Sequence, residues 1–233
     1  MIYCMSDVHG DYEKYRLMLE KIRLSDGDLL YLLGDVVDRG PHPVRILLDM
    51  MQRPNVKPLL GNHEYMAVLC LRFLTRQVTE ESVSALCAEN FQDLINWQRE
   101  GGSSTLQEFG QLSAEQRSAV LEYLMDFELY EEIQVNGQDY LLVHAGPANF
   151  SPDRPLDSYG LHELIWTRLD YGKVYYADRF LVTGHTPVAM IPGNTKQDSI
   201  YRANRHIAID CGCISGGRLG AICLDTGEEF YVG

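Results

Sequence analysis

Residues 29–40 read Leu29-Leu30-Tyr31-Leu32-Leu33-Gly34-Asp35-Val36-Val37-Asp38-Arg39-Gly40. A run of large apolar residues bounded by Gly and Asp predicts a strand buried on both faces. Two carboxylates and a guanidinium follow at once, so the segment stops being core where the strand stops. In open α/β sheets the carboxyl edges of strands are where loops collect ligands. Asp35 and Asp38 packed together would repel, raising one pKa, unless a cation lies beside them. The turn calls for a metal or an anion as its partner.

The same ending recurs along the chain. Asp7-Val8-His9 follows Ile2-Tyr3-Cys4-Met5, Asn62-His63-Glu64 follows Leu59-Leu60-Gly61, His144 follows Tyr140-Leu141-Leu142-Val143, and His185 follows Phe180-Leu181-Val182-Thr183-Gly184. A single His after a strand is ordinarily a hydrogen-bonded turn residue. Five apolar runs that end in Asp, Asn or His make coincidence a poor explanation.

Working outward, residues 2–6 predict a strand and residues 11–23 a helix, with Tyr12, Tyr15, Leu19 and Ile22 on one face. With the strand at 29–33 this is a β-α-β unit, which favours parallel pairing and a right-handed crossover. Pro41 and Pro43 suit the opening of a helix through Met51, and residues 56–60 make a third strand. From about 65 to 130 helix formers dominate and apolar residues recur three and four apart, a helical insertion between the strands. Within it, Trp97 and Gly101-Gly102 fit a helix-stop turn and a site-facing loop equally well. Residues 132–143 alternate around Asn136-Gly137, a strong hairpin signal. Residues 147–160 form a loop, 161–168 a short helix bringing Trp166 and Arg168 near the site, and 179–183 a strand. Residues 187–204 read as irregular, and 206–210, 220–224 and 230–232 as closing strands. Periodicity alone gives a mixed α/β architecture.

At 233 residues and 45% hydrophobic content, the chain suits one domain, 1–233, carrying that insertion. A net charge of −13 argues against binding nucleic acid or anionic membranes. Six cysteines without a C-x-x-C pair read as reduced core thiols. Cys211-x-Cys213 is a weak metal signal. The amino terminus carries no secretory pattern and no run approaches the ~20 apolar residues of a membrane span, so a soluble, cytoplasmic protein is expected. Oligomeric state is not legible.

Ser6-Asp7-Val8-His9-Gly10, residues 34–40, Gly61-Asn62-His63-Glu64, His144-Ala145-Gly146 and Gly184-His185-Thr186 resemble, in order, the signature blocks of the PPP-type serine/threonine protein phosphatases. The resemblance is to the bacterial and phage branch of this group, within the calcineurin-like metallophosphoesterase superfamily, and it spans residues 6–217. The chain departs from the pattern at Ser6, where Gly is usual, and at Cys211, where Thr is frequent. The resemblance implies two mixed β-sheets packed as a sandwich flanked by helices. It also implies that Asp7 and His9 bind one divalent ion, that Asp35 bridges two, and that Asn62, His144 and His185 bind the second. The donor set of oxygen and nitrogen without thiolate suits manganese, with iron or zinc as alternatives.

Two ions ~3.5–4 Å apart polarise a phosphoryl group and lower the pKa of a shared water, and the resulting hydroxide is the expected nucleophile. His63, oriented by Asp38, would give the leaving alkoxide its proton. The competing reading of Asp38 is a helix cap before Pro41. Arg39 and Arg168 would grip phosphate oxygens, unless Arg168 simply pairs with Asp170. Glu64 is expected to support a ligand rather than bind metal. Locally these cations outweigh the chain's negative charge, which salt screens beyond ~8 Å.

The expected activity is hydrolysis of phosphoserine and phosphothreonine in a protein or peptide substrate, with phosphotyrosine as a further substrate. The alternative is cleavage of a dinucleoside polyphosphate at the same dinuclear site, as in a sister family. Glu64, where that family tends to carry Asp, together with Asp38-Arg39, favours the phosphatase. A metal-bound regulatory module without turnover is the third reading. His42, His162 and His206 match no block and are taken as structural or solvent-facing.

Overall fold

The computed structural model describes residues 1–75 and 88–233. Residues 76–87, part of the predicted helical stretch, lie outside the described residues. In chain order the strands are β1 (Ile2–Met5), β2 (Leu29–Leu32), β3 (Val56–Pro58), β4 (Tyr130–Val135), β5 (Gln138–Val143), β6 (Arg179–Thr183), β7 (Tyr201–Ala203), β8 (His206–Ala208), β9 (Leu219–Cys223) and β10 (Glu229–Val232). The helices are α1 (Tyr12–Ile22), α2 (Pro43–Met50), α3 (Asn62–Leu74), α4 (Ala88–Arg99), α5 (Ser103–Gly110), α6 (Ala114–Met125) and α7 (Leu161–Ile165).

The strands form two mixed sheets of five, ordered β10-β9-β1-β2-β3 and β4-β5-β6-β8-β7. In the first, β1, β2 and β3 are mutually parallel. In the second, β5, β6 and β8 are. The period of two in side-chain direction sorts each strand's residues between two cores. Cys4, Tyr31, Leu142, Val182, Ile207 and Ile222 pack together between the sheets. Their neighbours Met5, Leu30, Leu32, Leu141, Val143 and Leu181 face the other way, against Tyr15, Met18, Leu47 and Leu71 of the helices. Double-sided burial is why these strands read as continuous apolar runs rather than as alternation.

Local signals explain most boundaries. Asp11 caps α1 by accepting the Lys14 N–H at 3.0 Å, and Pro43 opens α2. The β4–β5 turn puts Asn136 and Gly137 at φ 51° and 78°, the conformation that an Asn-Gly pair adopts readily. The stretch 187–204 departs from the irregular reading: it contains a short 3₁₀ turn at Val188–Met190 and the edge strand β7, paired with β8 from Tyr201 to Ala203. Three residues are too few to show a period. Among the described residues no helix is long and apolar enough to cross a membrane.

The architecture matters because it aligns strand ends. Asp7, Asp35, Asn62, His144 and His185 each lie just beyond the carboxyl end of β1, β2, β3, β5 or β6. Parallel triplets in two facing sheets deliver these side chains to one rim.

Leu142 is fully buried between the sheets, so Leu142→Ala should lower the unfolding free energy in urea by ~2–5 kcal/mol. The exposed Val174→Ala control should move it by less than ~0.5 kcal/mol. Equal, small effects would contradict an inter-sheet core.

Candidate active site

The loops of the rim are held in costly backbone conformations. Asp7, His9, Asp35, Asp38, Arg39 and His185 all have positive φ, between 47° and 71°. L-residues adopt that region only where the surroundings over-determine it. The determinants are visible. Asp7 and His9 donate their N–H groups to Gly34 and Asp35 carbonyls at 3.1 and 2.9 Å, and Gly10 donates to Val36 at 2.8 Å. Glu64, fully buried, accepts from Val36 and Val37 through one carboxylate oxygen, at 2.7 and 3.1 Å. Its other oxygen accepts from Asp35 and Gly61, at 2.8 and 3.0 Å. Gly34 sits at φ 81°, and a Cβ there would come within 2.7 Å of the His144 ring.

Asp35 stands at the centre. Its carboxylate lies 3.4 Å from His144 Nε2, 3.7 Å from His9 Nε2 and 4.0 Å from His63 Nε2. At its other side it accepts the His63 backbone N–H, from the first turn of α3, at 3.1 Å. Two compact groups of donor atoms share it, His9–Asp35–His63 and Asp35–His144–His185. Asn62 joins the second through an Oδ1 3.1 Å from His144 Nε2. Asp7 belongs to neither compact group. Its carboxylate is buried on the same rim, accepting the His185 N–H at 3.0 Å and the Ser6 hydroxyl.

The imidazoles are oriented for a cation. A carbonyl only accepts, so His9 Nδ1 donates to Val37 at 3.1 Å, His144 Nδ1 to Leu33 at 2.6 Å, and His185 Nε2 to Trp166 at 3.2 Å. Each ring is left with its second nitrogen for the cluster, the arrangement that ligand histidines adopt. Burial pushes His9 and His185 down to about 3, so both are neutral with a lone pair to offer. Burial also opposes charge on His144, but Asp35 prevails and pushes it up to about 10. A proton and a metal ion compete for that nitrogen. Burial raises Asp35 as well, yet His144, His63 and His9 together hold it well below the usual carboxylate range. Asp7 is pushed well up by burial and by the carboxylates of Asp210 and Asp35. Buried carboxylates and inward-facing lone pairs make a site that divalent ions fit.

Asp38 does not cap a helix, since His42 occupies the N-cap of α2. Its Oδ2 accepts His63 Nδ1–H at 2.7 Å and the Trp97 indole N–H at 2.9 Å, and its Oδ1 accepts the Thr105 hydroxyl at 2.6 Å. The Trp97–Thr105 stretch is thus both a helix stop and a wall of the site. Gly101 takes φ 107° after α4, and a Cβ on Gly102 would lie 2.5 Å from the Trp97 ring. Arg39 donates its backbone N–H to Gly101 at 3.0 Å. Its guanidinium reaches His9 Nε2 at 2.8 Å and His63 Nε2 at 2.9 Å. A guanidinium resting on these two lone pairs is itself a sign that the spot favours positive charge.

These groups line a crevice of about 480 Å³, whose other walls include Arg168, Trp166, Asn96, Glu100 and Asp210. Arg168 is exposed on this rim, and Asp170 pairs with Lys173 instead, at 3.3 Å. Asp210 is buried and pushed up to about 6 by burial. It follows β8 as Asp35 follows β2, a sixth apolar run ending in a polar residue, to which the sequence assigned no role in the site. Asn96 and Glu100 carry no such signal, because a helix face reveals no direction toward a cleft.

The remaining histidines lie elsewhere. His42 Nδ1–H donates to Glu108 at 2.9 Å, His206 is buried against Tyr171, and His162 is exposed beside Trp166. Burial raises the Cys211 and Cys213 thiols, the latter to about 12. Cys87 lies outside the described residues.

The family model of the calcineurin-like phosphoesterases matches residues 1–210. The chain belongs to that family. A symmetrical bis(5′-nucleosyl)-tetraphosphatase of Acidovorax ebreus (strain TPSY) is 32% identical over 147 residues, covering 62% of this chain and 43% of that protein. The chain thus matches less than half the length of that relative. The asymmetrical bis(5′-nucleosyl)-tetraphosphatase PrpE of Halalkalibacterium halodurans is 27% identical over 246 residues, covering 94% of this chain and 87% of that protein. Among solved structures, one provisionally assigned as a diadenosine tetraphosphatase superposes with TM-score 0.67 at 18% identity, covering 99% of this chain and 92% of the other. A protein serine/threonine phosphatase from Saccharomyces cerevisiae gives 0.58 at 14% identity, covering 100% and 80%. At those identities the structures speak to the fold alone.

The His63 ring provides a test that needs no substrate. Burial lowers its pKa, but Asp35 and the hydrogen-bonded Asp38 outweigh this and leave it raised. Asp38→Asn removes one of the two raising groups, so the ring titration followed by NMR should move to lower pH. An unmoved titration would contradict the Asp38–His63 coupling.

Proposed function

We propose that this chain hydrolyses the phosphoanhydride chain of a dinucleoside polyphosphate at a dinuclear metal site. The observation that carries the proposal is the pair of donor groups sharing Asp35. The nucleotide class is supported by the curated relatives above, one of which aligns along nearly the whole chain. The ligands we assign are Asp7 and His9 on one side, Asp35 between, and Asn62, His144 and His185 on the other. When bound, two divalent ions, manganese ahead of iron or zinc, supply Lewis acidity and lower the pKa of a water.

His63 sits among the first group of donors and is open to two roles. Its Nε2 stands 4.0 Å from Asp35, farther than those of His144 and His9, and its Nδ1 is committed to Asp38. We therefore assign it as the proton donor, with Asp38 fixing the tautomer and Trp97 and Thr105 fixing Asp38. Arg39 and Arg168 provide planar forks for phosphate oxygens. Once Arg39 swings onto phosphate, His63 Nε2 is free to carry the proton it delivers. The helices between β3 and β4 act in this reading as an insertion that walls the crevice and orients the acid.

Hydrolysis of phosphoserine and phosphothreonine in proteins is the second reading. It is favoured by the elaborate support of His63, since an alkoxide leaving group needs a proton more than a phosphate does. Glu64 does not decide between the two. Its carboxylate is spent on four backbone N–H groups, and it is not among the residues lining the crevice.

The deciding experiment compares diadenosine tetraphosphate with phosphoserine peptides in the presence of manganese. A higher kcat/KM on the dinucleotide is expected, and a preference for the peptides would overturn the first reading. His63→Asn should cut turnover of any serine phosphate by ~10²–10⁴-fold and of the anhydride by less than ~10-fold. Equal losses would remove His63 as the acid. Asp35→Asn should reduce bound metal, measured by elemental analysis, because both ions lose a shared anion. Retention of two ions per chain would contradict the bridging assignment.

A further inference from the structure

Next to the crevice lies a second cavity of about 400 Å³, within the size range of sites that hold small molecules. Met66, Asn96 and Trp166 line both spaces, so the two adjoin. The new cavity has an aromatic wall. His162 is stacked on Trp166, with ring centroids 4.7 Å apart and planes 14° from parallel, and Tyr65 stands edge-on to both at 5.3 and 5.6 Å. His162 is exposed, which leaves the stack open to a further ring. Leu69 adds apolar surface, and Asp93 contributes a carboxylate.

The charge of this lining selects its occupant. Among the described residues it contains no lysine or arginine, so a second phosphate would meet Asp93 without compensation. A neutral planar ring bearing N–H donors satisfies both features, stacking on the aromatic wall and donating to Asp93 or Asn96. Trp166 links this wall to the chemistry, because its carbonyl accepts from the ligand His185 at 3.2 Å.

We propose that the cavity is a nucleobase subsite, in which His162 and Trp166 stack on one base of the substrate while its phosphates lie over Asp35. The inference rests on the dinucleotide reading and gives it a specificity determinant. Calorimetric titration of the full chain with AMP and with ribose 5-phosphate separates base from phosphate. AMP should bind at least ~10-fold more tightly, and the gap should close to less than ~3-fold in His162→Ala and in Asp93→Ala. His162 is exposed and Asp93 half-buried, so these truncations spare the core. Equal binding of the two ligands by the wild type, or an unchanged gap in His162→Ala, would overturn the subsite. If His162→Ala weakens a phosphopeptide bearing a neighbouring aromatic residue but leaves the AMP gap intact, the cavity takes a peptide side chain and the proposal fails. If AMP behaves as stated but diadenosine tetraphosphate is not cleaved, the subsite stands and the substrate reading falls.

Discussion

A carboxylate in a protein interior requires compensation, and the architecture of this chain can be traced to how Asp35 receives it. The residue is 3% exposed. Three imidazoles from three separate chain segments turn nitrogens toward it, and the first turn of α3 donates a backbone N–H to it. None of these partners is a neighbour in sequence. Each arrives because a parallel strand ends beside it, so the sheet order is also the order of the site. The left-handed backbone at Asp7, His9, Asp35, Asp38, Arg39 and His185 costs ~1–3 kcal/mol at each such position. Strain concentrated in this way survives because Glu64 and the cross-loop hydrogen bonds leave the loops no alternative path.

The second consequence concerns charge. The chain carries a net −13, yet its substrate in any reading is an anion. Screening limits the repulsion to short range, and at short range the rim presents Arg39, Arg168 and a set of lone pairs that fits two divalent ions. The segment between β3 and β4 adds neutral donors at Trp97 and Thr105 and a carboxylate, Glu100, 3.8 Å from Arg39. Trp97 and Thr105 anchor Asp38 by hydrogen bonds, which fixes His63 without competing for the phosphate. In the proposed reading, the aromatic cavity that carries Asp93 beside the crevice divides recognition into a phosphate part and a base part.

Much of this was legible in the sequence, and the exceptions share a cause. Runs such as Leu29–Leu33, followed by Gly and Asp, announce a buried strand and a ligand-bearing turn together. Asn136-Gly137 announces a hairpin. The period of two cannot say which sheet a doubly buried strand joins, so the second sheet came only from the family resemblance. Strand β7 is too short to carry a pattern. Trp97 with Gly101-Gly102 left a helix stop and a site-facing loop equally open, and Thr105 looks like an ordinary residue of a helical stretch, since only the approach of α4 and α5 to the β2–α2 loop gives them a target. Asp210 obeys the rule that found Asp35, at the end of the strand read over 206–210, but was given no role in the site. His162 gave no local cue at all, because its ring contacts are with Trp166, four positions along, and with Tyr65 from α3.

Crystals grown with manganese and measured at the metal's absorption edge test the central claim directly. The account predicts two anomalous peaks ~3.5–4 Å apart on either side of the Asp35 carboxylate, one toward His9 and the other toward His144 and His185. A single peak, or density elsewhere with none at Asp35, would contradict it.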